Sequence, residues 1–233
     1  MPVADAGGTD PTALRGVLLA SREAGFLGPG PIDRHILHAE GFAALALART
    51  QPGAARLLDL GSGGGLPGLV VATHLPSAQV VLLEANQRRA QFLERAVVTC
   101  ALQNRVSVVH QRAELCGRDP AYRGHFAGVF ARSFGPPAVV AECGAPFLLP
   151  AGWLIVSEPP SEGAHESRVQ GPDIGEGGED SGRRWPADQL ARFGLEPGEF
   201  VRDAFGYQIL WQREPCPERF PRRNGIPSKR PLF

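Results

Sequence analysis

The segment Leu57–Gly68, LLDLGSGGGLPG, holds the residue types and spacing that most plainly point to chemistry. An apolar run ends in Asp59 and Leu60, glycines stand at the alternate positions Gly61, Gly63 and Gly65, and a second apolar run starts at Leu66. Glycines where a strand hands over to a helix let the backbone turn sharply and let a ligand approach without meeting Cβ atoms. Asp59 sets the charge at that turn. A carboxylate there favours a cationic ligand, such as the ammonium or sulfonium of S-adenosylmethionine, and opposes a pyrophosphate. The competing reading is a dinucleotide fingerprint, because Gly63-Gly64-Gly65-Leu66-Pro67-Gly68 also satisfies GxGxxG. Counted from the strand end, the tight-turn glycine is Gly61, and that frame fits the methyl donor better.

Three further positions suit the same ligand. Glu84 closes the next apolar run, QVVLLE, twenty-three residues after Gly61. An acid there accepts the two ribose hydroxyls of an adenosine, whichever cofactor carries it. Gln111-Arg112-Ala113-Glu114 follows the third run, where a backbone N–H and a nearby carboxylate can read the edge of an adenine; a helix-capping Glu is the plainer alternative. Arg132, after the fourth run, can grip a methionine carboxylate or a substrate phosphate, or simply make a surface ion pair.

The elements that must position these residues read as follows. The chain opens with helical periodicity from Pro11 to Thr50, punctuated at Pro29-Gly30-Pro31. Strands are then expected at Arg56–Leu60, Gln79–Glu84, Arg105–Val109, Gly128–Ala131 and Gly152–Ser157, with helices at Leu66–Leu75, Gln87–Leu102 and Pro137–Leu148. That alternation calls for a mostly parallel sheet with helices on both faces. Residues 161–183 hold six acids, two Arg and six Gly with almost no apolar residue, and read as a flexible acidic insert. A short helix at Ala187–Phe193 precedes strands at Glu199–Ala204 and Tyr207–Arg213, joined by Phe205-Gly206 in a hairpin that makes the last strand antiparallel. The expected architecture is therefore α/β with the Rossmann-like sheet of class I methyltransferases. Residues 1–50 form an N-terminal helical extension, and 51–233 the domain that binds the donor.

Composition narrows the partners. Among 233 residues, 24 Lys and Arg balance 24 Asp and Glu, which excludes a global basic field but leaves room for a local patch. From Arg213 onward six bases face two acids, and Arg88-Arg89 open the helix after the second strand. Cys100, Cys116, Cys143 and Cys216 form no CxxC pair, so they read as reduced thiols of a cytosolic protein, and no metal is expected. No apolar stretch is long enough for a membrane span, and the opening MPVADAGGTDP lacks the pattern of a secretory signal.

Taken together, the sequence resembles the bacterial 16S rRNA guanine-N7 methyltransferase family known as glucose-inhibited division protein B. The resemblance rests on DLGSGGGLPG, on Glu84 with Asn86-Gln87-Arg88-Arg89, and on Phe92-Leu93. It extends to Arg112-Ala113-Glu114, Ala131-Arg132-Ser133-Phe134 and the tail PRRNGIPSKRPL from Pro221 to Leu232. It covers the chain from about His35 onward. The chain departs from the family pattern at His38, where the family has an acid, and at Ser157-Glu158-Pro159-Pro160, where it has Lys-Gly. The resemblance implies S-adenosylmethionine as cofactor, contacted by Gly61, Leu66, Ala113, Glu114 and Arg132, and a cytoplasmic enzyme, taken as a monomer, acting on 16S rRNA of the small ribosomal subunit.

Guanine N7 carries a free in-plane lone pair at neutral pH, so its attack on a sulfonium methyl needs no general base, and no residue is assigned a catalytic role. The protein must supply position and orientation. Arg88, Arg89, Arg222, Arg223, Lys229 and Arg230, with Arg219, are the expected contacts to RNA phosphates. A small-molecule methyltransferase on the same core, and a homologue that binds donor or RNA without turnover, stay open as alternatives.

Overall fold

A computed structural model describes residues 10–51, 53, 55–159, 173–175 and 184–233. The chain divides into two compact units, Met1–His110 and Gln111–Phe233. The N-terminal helices belong to the first of these units, where they pack onto the helices that follow the first strands.

In the first unit, α1 (Pro11–Glu23) starts where Asp10 accepts the Thr12 N–H and Pro11 takes the first helical position. It buries Leu14, Val17 and Leu18. α2 (Ile32–Leu47) buries Ala39, Phe42, Ala43 and Ala46 against α3 (Gly68–His74). β1 (Arg56–Leu60), β2 (Gln79–Glu84) and β3 (Val106–His110) are parallel, in the order β3-β2-β1, with Asp59 opposite Leu82 and Glu84 opposite His110. α4 (Gln87–Thr99) is capped by Asn86 and buries one face, Ala90, Leu93, Ala96 and Val97, leaving Arg88 exposed. β1 and β2 match the expected spans. The helix after β1 starts at Gly68 instead of Leu66, because Gly61–Pro67 is consumed by the turn.

The second unit contains α5 (Ala113–Cys116), β4 (Phe126–Ala131), α6 (Pro137–Gly144) continued by a 3-10 turn at Ala145–Phe147, and β5 (Leu148–Glu158). Next come β6 (Asp173–Gly175), α7 (Ala187–Leu190) with a 3-10 turn Ala191–Phe193, β7 (Leu195–Arg202), β8 (Gly206–Gln212) and α8 (Ile226–Lys229). β4 and β5 are parallel, and β8 lies antiparallel to β5 and to β7, so the expected terminal hairpin is present. Trp153 of β5 lies across Gly128 of β4, where any Cβ would meet its ring. β5 begins four residues earlier than expected, since Leu148 already pairs with Phe126. The acidic insert contributes one element that its composition hides: Asp173–Gly175 pairs with Phe200–Arg202 as an edge strand. The rest of 161–183 lies outside the described residues. No helix among the described residues is long and apolar enough to cross a membrane.

Candidate functional site

β1 delivers the chain into the glycine turn. Gly61, Gly63 and Gly65 take φ of +72°, +55° and +102°, the left-handed region that favours glycine. The turn is tied to itself and to β2: the Ser62 hydroxyl donates to the Asp59 carbonyl (3.0 Å), Ser62 N–H to the Leu83 carbonyl (3.0 Å), and Gly65 N–H to the Ser62 carbonyl (2.8 Å). Asp59 is only 1% exposed, and its Oδ2 accepts the N–H of Gly68, the first residue of α3, at 2.9 Å. This corrects the expectation of an open carboxylate facing a cation. β1 points Asp59 inward, and its carboxylate holds the start of α3, so a Cβ on Gly68 would strike it. Leu66 is also buried.

Glu84 reaches back from the end of β2. Its Oε2 accepts the Gly63 N–H at 2.8 Å and its Oε1 the Asn86 N–H at 2.7 Å, with the residue 6% exposed. An ionised carboxylate has about four lone-pair sites. Each oxygen therefore keeps one for an outside donor, which suits two neighbouring hydroxyls. At Gly63 itself an added Cβ would meet only backbone oxygens, of Gly61 at 3.7 Å and Phe26 at 4.0 Å, so no side chain of the described residues lies within 4 Å of that space. From behind, the buried Ser21 hydroxyl of α1 donates to the Gly64 carbonyl at 2.9 Å. The residues present fit an adenosine-type ligand at this turn.

In the second unit, Ala113 and Glu114 open α5, both buried. Glu114 Oε1 accepts from Arg112 Nη2 at 2.9 Å and from the Gly225 N–H at 2.9 Å. Burial pushes this carboxyl up, but the bond from Arg112 and that from Gly225 outweigh it and hold the group below its ordinary range. One turn of α6 places Glu142, 1% exposed, where it accepts the Arg222 N–H (2.8 Å) and grips the Arg222 guanidinium through Nε (2.8 Å) and Nη2 (2.7 Å). Burial beside Glu114 and Glu142 pushes the neighbouring Cys143 thiol far up. Arg132 follows β4 half-buried; burial raises the phenol of Tyr207 on β8, and the Arg132 charge opposes that rise.

The expected RNA contacts separate. Arg88, Arg223, Lys229 and Arg230 are exposed, while Arg89 is half-buried with its guanidinium 5.8 Å from the centre of the Phe26 ring. Arg222 is a correction. Its guanidinium is committed to Glu142 and to the Arg230 carbonyl (2.8 Å), because a carboxylate buried on α6 must be matched by a cation.

A family model described as rRNA small subunit methyltransferase G (GidB) matches residues 32–159, more than half of the chain. The chain belongs to this family. A relative named Ribosomal RNA small subunit methyltransferase G, from Moorella thermoacetica, is 33% identical over 189 residues, 81% of this chain and 74% of that protein. One of the same name from Chloroflexus aggregans is 35% identical over 208 residues, 86% and 78% of the two chains. Among solved structures, the O-methyltransferase from Bacillus cereus in complex with SAH superposes with a TM-score of 0.60 at 18% identity over 87% of this chain and 91% of that one. It shares the class I methyltransferase fold. The match to the small subunit methyltransferase G family spans the glycine turn, Glu84, Glu114 and Arg132, and stops short of the tail that carries Arg222 to Arg230.

Three residues that touch the tail or an expected site residue escaped the sequence reading: Glu142 on Arg222, Arg123 on the carbonyls of Cys216, Pro217 and Phe220, and Tyr207 beside Arg132. Glu142 had a usable signal, a lone acid inside the apolar helix PAVVAECG. Arg123 and Tyr207 had none, since their partners are backbone carbonyls and residues distant in sequence. Among the described residues no group of three or more His, Cys, Asp or Glu could hold a metal ion.

Proposed function

We propose that this methyltransferase uses S-adenosylmethionine to methylate N7 of a guanine in 16S rRNA. The observation that carries the donor half is Glu84, a carboxylate that shapes the turn through Gly63 and Asn86 and still offers a lone pair on each oxygen. When bound, the donor supplies the electrophilic methyl carbon. This chain's residues bind and orient. Gly61, Gly63, Gly65 and Leu66 give the donor a backbone wall, and Asp59 fixes that wall to α3. Glu84 accepts the ribose hydroxyls. Ala113 and Glu114 offer an amide and a carboxylate to the adenine, and Arg132 takes the donor carboxylate or an RNA phosphate. N7 needs no proton removed, so holding the two reactants in line is the main demand on the protein. Arg88 and Arg89 on α4, with Arg223, Lys229 and Arg230 on the tail, supply salt-dependent attraction to the RNA backbone.

The test is transfer of label from S-adenosylmethionine to small subunits taken from cells deleted for this protein. The expected product is 7-methylguanine in the 16S rRNA, mapped to one position. Label entering only small metabolites would make it a small-molecule methyltransferase, and tight donor binding without transfer would make it a binding homologue.

A further inference from the structure

The tail from Cys216 to Arg230 has two faces of different chemistry. Its inner face is held by three charged side chains of the same unit. Arg123 donates to the carbonyls of Cys216 (2.7 Å), Pro217 (3.0 Å) and Phe220 (2.8 Å), and to that of Gly117 (2.9 Å). Glu142 takes the Arg222 amide and guanidinium, and Glu114 takes the Gly225 amide. The outer face carries Arg219, Arg223, Lys229 and Arg230, all exposed. Neighbours in sequence thus face opposite ways: Arg222 grips α6 while Arg223 points to solvent. Gly225, at φ +76° just before α8, makes the reversal that brings its amide to Glu114. Among the described residues, its chain neighbours aside, no atom lies within 4 Å of a Cβ built there, so the glycine serves conformation and not space.

We propose that this tail is a strap that couples RNA binding to donor binding, with Glu142 and Arg222 as the positioning residues that seat it. The proposal rests on the reading of Glu114 as a donor contact and of the outer cations as RNA contacts. Glu142 is 1% exposed and Glu114 3%. Without the tail Glu142 loses the Arg222 amide and guanidinium, and a buried carboxylate without a donor is costly, whereas Glu114 keeps Arg112 and loses the Gly225 amide. Arg222 and Gly225 stand three residues apart, so the strap seats on Glu142 and Glu114 together, as one element with a seated and an unseated state. Seated, it holds Glu114 through the Gly225 amide and leaves Arg223, Lys229 and Arg230 exposed on the outside. RNA phosphates that bind those cations favour the seated state. The seated state keeps Glu114 in place for the donor. Linkage then runs both ways: whatever factor RNA adds to donor affinity, the donor adds to RNA affinity.

The experiment uses the full chain, S-adenosylhomocysteine as donor probe, and unmodified 16S rRNA transcript, with calorimetric titration of each in the absence and presence of the other. In the wild type each tightens the other by the same factor, about tenfold. Arg222→Lys keeps the charge and loses the fork, and Glu142→Gln loses the charge. Each weakens donor binding about tenfold without RNA and abolishes most of the coupling, raising the donor KM more than it lowers kcat. Arg223→Ala weakens RNA binding and leaves the RNA-free donor Kd as it was, an asymmetry that a merely structural tail does not produce. If Glu142→Gln does not melt cooperatively, Arg222→Lys carries the test. Wild-type donor affinity in Arg222→Lys, with and without RNA, overturns the proposal, as does RNA that leaves wild-type donor affinity unchanged. A wild type that gives no heat with S-adenosylhomocysteine overturns instead the donor reading beneath it.

Discussion

Replacing Glu84 by Gln tests the donor site most directly. The carboxylate now accepts two backbone amides, from Gly63 at 2.8 Å and Asn86 at 2.7 Å. Glutamine has one carbonyl oxygen, so one of these amides must face an NH2 group. A buried donor left unsatisfied costs about 1–3 kcal/mol, and in a chain of this size that lowers Tm by roughly 2–12 °C. The effect on the donor is separate. A hydrogen bond from a ribose hydroxyl to a charged acceptor is worth about 1.5–3 kcal/mol, which corresponds to a rise in Kd of roughly 10- to 150-fold. Glu84→Asp retains the charge but draws it back by one methylene, so it restores part of the donor affinity without restoring the bond to Gly63. Calorimetric titration with S-adenosylhomocysteine, well below the Tm of every variant, separates the two contributions. A Glu84→Gln protein whose Tm falls as expected while its Kd stays within twofold of wild type would refute the reasoning: Glu84 would then hold the turn and touch no ligand.

Three other outcomes follow from the same contacts. Gly64→Ala places a Cβ against the Ser21 hydroxyl and the Leu27 side chain, and the overpacking costs about 1–3 kcal/mol in a urea titration; an unchanged midpoint would show that α1 does not press on the turn. Arg222→Met strands Glu142 and destabilises by about 3–5 kcal/mol, whereas Arg223→Met stays within about 0.5 kcal/mol and flattens the salt dependence of RNA binding by about 0.7–0.9 in log–log slope; the reverse ranking in urea would exchange their roles. Glu114 has its carboxyl held below the ordinary 4.5, so the stability it adds is complete above that value and is lost as pH falls through the lowered one. The difference in urea midpoint between wild type and Glu114→Gln is then constant from about pH 7 to pH 5 and shrinks in more acid solution; a difference that grows on acidification would reverse the sign.

Elements whose signal is local were legible in the sequence. β1, β2 and the start of α4 are bounded by residues that act within a few positions, Gly61, Glu84 and Asn86, and their ends were read correctly. The terminal hairpin was legible because Phe205-Gly206 is short enough to force antiparallel pairing. β6 was not, since Asp173–Gly175 has no apolar pattern and becomes a strand only through the backbone of β7. The placement of Asp59 was misjudged for a related reason. Its position at the strand end was visible, but which face of β1 it occupies depends on Gly68 arriving beneath it from the next helix. In the tail, composition alone makes Arg222 and Arg223 equivalent. They part only when α6 presents Glu142 to one of them, eighty residues away in sequence.

The four buried carboxylates of the described residues share one habit that bears on the chemistry. Asp59 accepts the amide of Gly68, Glu84 those of Gly63 and Asn86, Glu114 that of Gly225, and Glu142 that of Arg222. The amides they hold lie at a helix start, in the glycine turn and in the tail. A carboxylate used this way spends its oxygens on backbone amides and not on moving a proton. That is the opposite of what a general acid or base requires, which is a proton gained or released near neutral pH. Methylation at a ring nitrogen with its own lone pair asks only that nucleophile and methyl carbon be held in line. Carboxylates invested in backbone geometry serve that demand directly. The pH dependence of turnover should accordingly be flat from about pH 6 to 8 under saturating donor and RNA. A bell-shaped profile across that range would mean that a titrating group moves a proton in the reaction, and would refute this account of the carboxylates.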